Sequence, residues 1–462
     1  MTEHGREGGI TVSVRTDETV APAPTGASLA RASALNLLAR LTSGAATFGL
    51  AVITTNALDT HDRGIYVILT TWAGIGATVI TGGTTVLAAD LIHHRHDERT
   101  LHGATTAIAA GSALVLLPVA VVTALATSGV TTAALVLTAA LTVLVTYSGF
   151  EMAIAQAHGD VFVVSITDIA MALFPLVATA AAALLLDPTV TILVGAWTAG
   201  ALLTAAVQFV AALGKGSYLV GRARHVGARI MRRSLRVAVA NGASVLTARI
   251  DVLVVAAVLS ASAAGIYSIP VALAANLLLL SRSLLTATYR SIMVAPKDEV
   301  AGRLGTAVRH SVIVVLAGGG LSIPAVAVAS GFVFGDAYAD IWRPYSLLVL
   351  ASACICIVEV LRHFLLTRLE RQGEFVIVVT AMLVVNGALA AVGAAAFGLV
   401  GAAASTTITY ALAAFALVAI CASTLEVPMR DLAIPRRSDL LSYWRAARSL
   451  AARRRRPAAA AD

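Results

Sequence analysis

The chain alternates between long apolar segments and short polar loops over most of its 462 residues. A helix needs about 20 apolar residues to cross the hydrocarbon core of a bilayer, where it must satisfy its own backbone hydrogen bonds. Twelve segments meet this requirement, at 31–56, 64–91, 103–126, 131–157, 160–186, 189–214, 236–260, 264–290, 308–334, 344–366, 374–396 and 398–424. The pattern predicts an all-α polytopic membrane protein.

A short motif occurs twice, as Gly64-Ile65-Tyr66 at the start of the second segment and as Gly265-Ile266-Tyr267 at the start of the eighth. Internal duplication is typical of membrane transporters, so we predict two lobes of six helices each. The predicted organisation is a disordered cytosolic tail at 1–30, an N-lobe at 31–214, a basic cytosolic linker at 215–235, a C-lobe at 236–424 and a basic cytosolic tail at 425–462, with an amphipathic helix at 439–452.

The composition agrees with a bilayer protein and argues against several kinds of site. Hydrophobic residues make up 58% of the chain and charged residues 13%, and the mean hydropathy is +0.87. The three cysteines all lie in apolar segments, which indicates buried side chains rather than disulfides or zinc ligands. We interpret the histidines at 93–96 as a solvated loop, not a metal site, and no phosphate-binding loop is present that would suggest ATP as a cofactor.

Positive charge predicts the orientation, because arginine and lysine collect on the cytosolic side of a membrane. With the N-terminus inside, the internal loops and tails are rich in arginine, whereas the loops on the other side contain only Arg63 and Arg343. The N-terminal tail has no apolar signal segment. We therefore predict a multi-pass protein of the bacterial cytoplasmic membrane, with both termini cytosolic and its basic tail on anionic lipid.

Seven ionisable residues fall inside the predicted spans, where each one costs about 2.5–3.5 kcal/mol at a helix centre and usually faces a partner or a water-filled cavity. They are Arg40, Glu151, Asp168, Arg249, Asp251, Arg282 and Glu359. Arg249 and Asp251 lie near the middle of the seventh span, and residues two apart do not share a helix face. One of them could face a cavity while the other bonds a neighbouring helix; a structural ion pair between helices is the alternative.

If the lobes pack about an axis along the membrane normal, Arg40, Arg249 and Arg282 surround one cavity with Asp251 as its central acid. Such an excess of cations suits an anionic substrate, although Arg40 and Arg282 could instead extend to the inner headgroups. Counting back from the two motifs puts Arg40 and Arg249 at different depths, as expected for cations that pass one phosphate group toward the middle of the membrane. Glu151 and Glu359 are candidates for ion coupling, and Pro270 for gating, with simple helix kinking as the alternative.

Several of these segments resemble a known family. They are Asn36-Leu37-Leu38-Ala39-Arg40, the stretch from Asn56 to Tyr66, Arg249-Ile250-Asp251 and the stretch from Ala263 to Tyr267. Together they resemble polysaccharide-biosynthesis flippases of the multidrug/oligosaccharidyl-lipid/polysaccharide (MOP) exporter superfamily. The resemblance implies a MATE-like fold and alternating access, with Arg40, Arg249, Asp251 and Arg282 in a cationic substrate-binding cavity.

By the same resemblance, the substrate is a lipid-linked oligosaccharide on undecaprenyl diphosphate, carried from the inner to the outer leaflet. A polysaccharide polymerase and glycosyltransferases are then expected partners, and nucleic acid is not. The main alternative is a drug or cation antiporter of the same fold, which should prefer acids in its cavity. A membrane glycosyltransferase is disfavoured because the outer loops are short and lack an Asp-x-Asp pair; we therefore expect no enzyme activity. A scaffold without transport activity is a further alternative.

Overall fold

The computed structural model describes residues 26–81, 130–158, 160–214, 241–369 and 371–437, together with positions 439, 441 and 448. The predicted third span at 103–126, the histidine loop, the basic linker at 215–235 and most of both predicted tails lie outside these residues. The described part is helical, which confirms the predicted fold class.

Five helices form the described part of the first half. They are α1 (Gly26–Ala57), α2 (Thr60–Thr81), α3 (Thr132–Ala157), α4 (Val161–Leu185) and α5 (Val190–Gly214). Helix α4 packs between α1 and α5, and α3 packs against α2 and α5. The apolar side chains of Ile65, Leu69, Leu193 and Val194 form the core of this half.

The second half begins with a bent pair of helices, α6 (Asn241–Thr247) and α7 (Ile250–Val258), whose axes differ by 46°. The helices that follow are α8 (Ala261–Met293), α9 (Lys297–Phe334), the short 3₁₀ helix η1 (Asp336–Ile341), α10 (Trp342–Thr367), α11 (Gln372–Leu425) and α12 (Met429–Ala433). Helices α8 to α11 pack around buried side chains such as Tyr267, Leu361, Phe364 and Leu417.

Helix α11 reverses its direction at Gly398, which has φ 61° and ψ −143°. The Ser405 hydroxyl donates to the Leu389 carbonyl at 2.7 Å, although 16 residues of continuous helix would hold them about 24 Å apart. A Cβ on Gly401 would lie 1.9 Å from the Gly393 carbonyl oxygen, so the two arms touch backbone to backbone. Helix α11 is therefore a hairpin whose two arms match the predicted spans at 374–396 and 398–424.

The described residues contain nine helices long and apolar enough to cross a membrane, or ten when α6 and α7 count as one span. Dividing α11 at Gly398 adds one more. With the predicted span at 103–126, the architecture agrees with a twelve-helix, multi-pass membrane protein.

The two halves meet mainly where α8 packs on α2 and α1. Their closest approach is at the end of the bundle where α1 joins α2, which we call the outer end after its predicted orientation. There the two Gly-Ile-Tyr motifs face each other: a Cβ on Gly64 would lie 1.9 Å from the Ala261 carbonyl oxygen, and one on Gly265 would lie 2.6 Å from that of Thr60. Only glycine allows this contact, so the duplicated motif closes the outer end.

Toward the opposite end, the segment after α11 is fixed to the first third of α9 by Arg309. Its guanidinium pairs with the Asp439 carboxylate at 2.7 Å and also donates to the Asp431 carbonyl. Burial raises the pKa of Asp439, but hydrogen bonds from Arg309 and the Arg436 backbone lower it more, so the pKa lies below its usual range. The described start of the predicted amphipathic helix is thus bonded to the second half of the protein.

Candidate functional site

A cavity of about 300 Å³ lies between the two halves, with walls from α1, α2, α5, α6, α8 and the α6–α7 junction. Its charged lining residues are Arg63 and Arg249, and none of its described lining residues is acidic. Hydroxyl groups dominate the remaining polar lining: Thr47, Thr54, Tyr66, Thr70, Thr71, Thr78 and Ser268. The cavity is cationic and rich in hydroxyl groups, so its chemistry suits an anion joined to a polar, hydroxyl-bearing group.

Arg249 reaches the cavity because the helix is broken at this point. It occupies the N-cap of α7, in a turn that follows Thr247, the last residue of α6. The break frees backbone carbonyls that a continuous helix would pair. The Asn386 amide, from the completely buried side chain on α11, donates to the Thr247 carbonyl at 2.9 Å. A side chain from a distant helix thus stabilises the bend that carries Arg249.

Asp251 points away from the cavity into the second half. Its carboxylate accepts hydrogen bonds from the Tyr267 hydroxyl at 3.0 Å, from Thr406 at 3.1 Å and from its own neighbour's backbone N–H at 2.8 Å. The side chain is 2% exposed. Arg249 and Asp251, which the sequence placed together in the substrate-binding set, therefore have separate positions: the arginine lines the cavity and the aspartate joins α7 to α8 and α11.

Arg63 is the cavity residue that the sequence analysis missed, because it was assigned to an outer loop. That assignment is wrong: α2 begins at Thr60, and Arg63 is only 3% exposed. The guanidinium Nη1 donates to the Gly265 carbonyl of α8, and its carbon lies 5.6 Å from the ring centre of Tyr338. The missed signal is an N-cap: the Asp59 carboxylate accepts from the Asp62 backbone N–H at 2.8 Å, so the helix starts four residues before the predicted span.

Tyr66 and Trp197 form the aromatic part of the wall. Their ring centres are 6.1 Å apart. The Tyr66 hydroxyl is buried and has no hydrogen-bond partner in the described structure, and the same holds for the Arg63 Nε. Thr54, Thr70 and Thr78 donate to carbonyls of their own helices, which leaves their oxygen lone pairs available as acceptors. The wall thus offers both donors and acceptors to a bound group.

The other two predicted arginines do not line the cavity. Arg40 donates from Nε to the Asn36 side chain one turn earlier on α1 at 2.9 Å, and its charge interacts with Asp168 of α4. Arg282 is exposed on α8, and its charge interacts with His363 of α10. Counting residues along a span predicts the depth of each arginine in the membrane. The direction in which its side chain points depends on the rotation of the helix, which is set by packing.

The candidates for coupling and gating are not among the described lining residues of the cavity. Glu151 is half-buried on α3, and Glu359 of α10 pairs with Arg362 at 3.3 Å. Pro270 is buried on α8 between Ser268 and Ala272, which both line the cavity. As proline lacks a backbone N–H, the Ile266 carbonyl loses its usual partner four residues further along the helix. A local bend of α8 would therefore act directly on the cavity wall.

Comparison with known proteins agrees with this architecture. A family model described as polysaccharide biosynthesis protein matches residues 29–292, more than half of the chain. No curated protein sequence matches significantly.

Among solved structures, an inward-facing multidrug resistance MATE family transporter of the MOP superfamily is 12% identical, with a TM-score of 0.66 over 84% of this chain and 99% of that chain. An outward-facing structure of that kind is 14% identical, with a TM-score of 0.61 over 86% and 96%. A MOP superfamily transporter from Pyrococcus furiosus, described by the reversed polarity of its binding pocket, is 11% identical, with a TM-score of 0.63 over 87% and 96%. At these identities the likeness establishes the fold, that of MOP superfamily transporters.

Proposed function

The chain belongs to the polysaccharide biosynthesis protein family, and from this membership and the charge of its cavity we propose that it flips a lipid-linked oligosaccharide across the bacterial cytoplasmic membrane. The substrate would be an undecaprenyl-diphosphate-linked glycan, moved from the inner to the outer leaflet by alternating access. No chemical step is involved. One observation carries the proposal: Arg63 and Arg249 both line the cavity, and none of its described lining residues is acidic.

The lining matches the two parts of such a substrate. Arginine forms two parallel, charge-assisted hydrogen bonds to phosphate oxygens, and these bonds are about twice as strong as neutral ones. The threonine and serine hydroxyls can bond the sugar hydroxyl groups, and the face of Trp197 offers an apolar surface. A diphosphate held near Arg249, with its first sugars along α2, would use both kinds of contact.

The test is export of the surface polymer by cells whose own copy of the chain is deleted. Arg249→Ala should reduce export at least tenfold at an unchanged protein level, because it removes one of the two cations that line the cavity, and Arg249→Lys should restore part of it. Arg343→Ala is the matched control, since Arg343 is exposed and pairs with Asp340 at 3.2 Å. Normal export with Arg249→Ala would contradict the role of this residue in substrate binding.

Export of cationic drugs, as in multidrug transporters of the same fold, predicts a different phenotype. It requires an acid that can exchange a cation or proton for the drug, and Glu151, which is half-buried on α3, is the candidate in the first half. Resistance of whole cells to cationic dyes that is lost on Glu151→Gln, with polymer export unaffected, would favour this function over flipping.

A further inference from the structure

Arg63 has the position and bonding of a group that changes partners. It is buried at the outer end of the cavity, at the point where the two halves touch, and its guanidinium forms a hydrogen bond across this contact. Its Nη1 bonds a neutral carbonyl, that of Gly265, while its Nε has no partner. The guanidinium therefore stabilises the closed outer end through Nη1, while its Nε could still donate to another group.

Among the residues that the structure describes, none provides a carboxylate partner for the positive charge of Arg63. In the described part of the chain its electrostatic neighbours are the tyrosines Tyr338 and Tyr66. Of the acids next to it along the chain, Asp59 is exposed and accepts from the Asp62 backbone N–H, and Asp62 is half-buried. A buried guanidinium without a paired anion is costly, and the unpartnered Tyr66 hydroxyl lies in the same part of the wall. Together they offer a positive charge and two hydrogen-bond donors at the outer part of the cavity wall.

Arg63 and Arg249 lie at different depths in the same cavity. Helix α7 rises about 12 Å from Ile250 to Val258 at the outer end, and Gly265 lies about 6 Å in from the start of α8 at Ala261. The carbonyl that Arg63 bonds is therefore about one helical turn further out than Arg249. An anion bound at Arg249 thus has a second cation ahead of it, on the outer side. The stagger in depth that the sequence suggested for Arg40 and Arg249 is present here for Arg249 and Arg63.

We propose that Arg63 is a second binding residue for the diphosphate of the lipid-linked substrate and that binding there opens the outer end. A phosphate oxygen is a stronger acceptor than a carbonyl, and a diphosphate can take both edges of the guanidinium. When Arg63 turns to the anion, the Gly265 carbonyl keeps its bond from Ser268 but loses the donor from the first half, and the contact between the halves is weakened. The ligand binds more tightly to the state in which this contact is broken. Its binding therefore shifts the protein toward the outward-open state. This inference rests on the proposed flippase function.

The experiment measures binding and outer-end opening on the full-length protein in lipid nanodiscs. Spin labels are attached at Asp187→Cys and Ala337→Cys, which are exposed at the outer end of the two halves, with the three native cysteines replaced by alanine. The probes are farnesyl diphosphate, inorganic pyrophosphate and farnesol. Farnesyl diphosphate should lengthen the distance between the labels, and farnesol should not.

Arg63→Gln keeps a donor for Gly265 but loses the charge, so it should weaken farnesyl diphosphate binding at least tenfold and abolish the opening. Arg343→Gln, an arginine at the same end that is exposed, should behave as the unsubstituted chain. Arg63→Lys should bind with intermediate affinity, and it serves as the test if Arg63→Gln does not fold. Unchanged affinity and unchanged opening in the Arg63 variants would overturn the proposal.

The probes separate this inference from the function on which it depends. If the unsubstituted chain does not bind farnesyl diphosphate, the flippase proposal itself is wrong. If binding requires Arg249 but not Arg63, only the role of Arg63 is wrong. Equal effects of inorganic pyrophosphate and farnesyl diphosphate would assign the site to a free anion and overturn the lipid substrate.

Discussion

Asp251 stabilises the site without contacting the cavity. Its carboxylate accepts hydrogen bonds from the hydroxyl groups of Tyr267 on α8 and Thr406 on α11. It lies in the first turn of α7, directly after the break that carries Arg249. A negative charge is also favoured at a helix N-terminus, where the backbone N–H groups of the first turn point toward it. In the proposed function, Asp251 is thus a positioning residue, which acts on the substrate through Arg249.

Asp251→Ala should destabilise the protein and lower transport together. It leaves the buried hydroxyls of Tyr267 and Thr406 without their acceptor, and each buried polar group left unpaired costs about 1–3 kcal/mol. The midpoint of thermal unfolding in detergent is the measurement, with Asp187→Ala as the control because Asp187 is exposed. An equal change in both variants would show that the network contributes nothing. The double variant Asp251→Ala, Tyr267→Phe should recover part of the loss.

The sequence identified Arg249 from the cost of a charge in mid-membrane, but the partners of each charge could not be predicted from it. Arg40 bonds its own helix and Arg282 is exposed, because the direction of a side chain depends on the rotation of the helix. Arg63 was assigned to a loop because α2 begins earlier than its apolar run. An acidic N-cap at Asp59 was the signal that extends α2 to include it.

At the scale of the elements, the Gly-Ile-Tyr repeat is the contact surface between α2 and α8. The glycines allow the two backbones to meet, and the tyrosines Tyr66 and Tyr267 are buried on either side of the contact. At this contact the backbones of α2 and α8 pack directly on each other at Gly64 and Gly265, and Arg63 adds a hydrogen bond between the two helices. Opening it requires that α2 and α8 separate and that the contacts between α1 and the end of α9 break, such as the bond from Asn56 to the Val333 carbonyl at 3.2 Å and the edge contact of Phe48 with Phe334.

Gly64→Ala should hold the outer end open. The added methyl group would lie 1.9 Å from the Ala261 carbonyl oxygen, a backbone atom that cannot move aside without the helix. Gly74→Ala on the same helix is the matched control, because nothing lies within 4 Å of its Cβ position. The distance between labels at positions 187 and 337, measured without ligand, should increase for Gly64→Ala alone. An unchanged distance would mean that the two helices close without this contact.

The elements differ in how far the sequence predicts them. The reversal at Gly398 was predictable, because a backbone with positive φ and ψ near −143° is open almost only to glycine. The break between α6 and α7 was not, since Thr247-Ala248-Arg249-Ile250 contains neither glycine nor proline. Its support comes from Asn386, which is 139 residues away along the chain. Long-range partners of this kind leave no local pattern.

At the scale of the whole molecule, the distribution of charge favours outward movement of an anion. The cavity has cations at two depths, Arg249 and Arg63, while the predicted cytosolic loops carry most of the remaining positive charge. A diphosphate drawn toward the inner surface by these loops would meet Arg249 and then Arg63. Moving about two negative charges outward across an inside-negative membrane releases roughly 4–5 kcal/mol per 100 mV. The membrane potential alone could therefore drive the step, without a nucleotide.

Transport should consequently depend on membrane potential in proportion to the charge of the substrate. In vesicles containing the purified protein, a potassium gradient with valinomycin sets the potential, and flipping of a fluorescent short-chain polyprenyl diphosphate is followed over time. The rate should rise when the side carrying the chain termini becomes negative, and it should rise less for the monophosphate, which carries less charge. The neutral alcohol should show no dependence on potential.

The return of the empty cavity moves the charges of its arginines in the opposite direction across the membrane. The increase in rate with potential should therefore be smaller than two full charges would give. Equal rates for the diphosphate at zero and −100 mV would contradict a potential-driven mechanism and direct attention to Glu151 and Glu359 as ion-coupling residues.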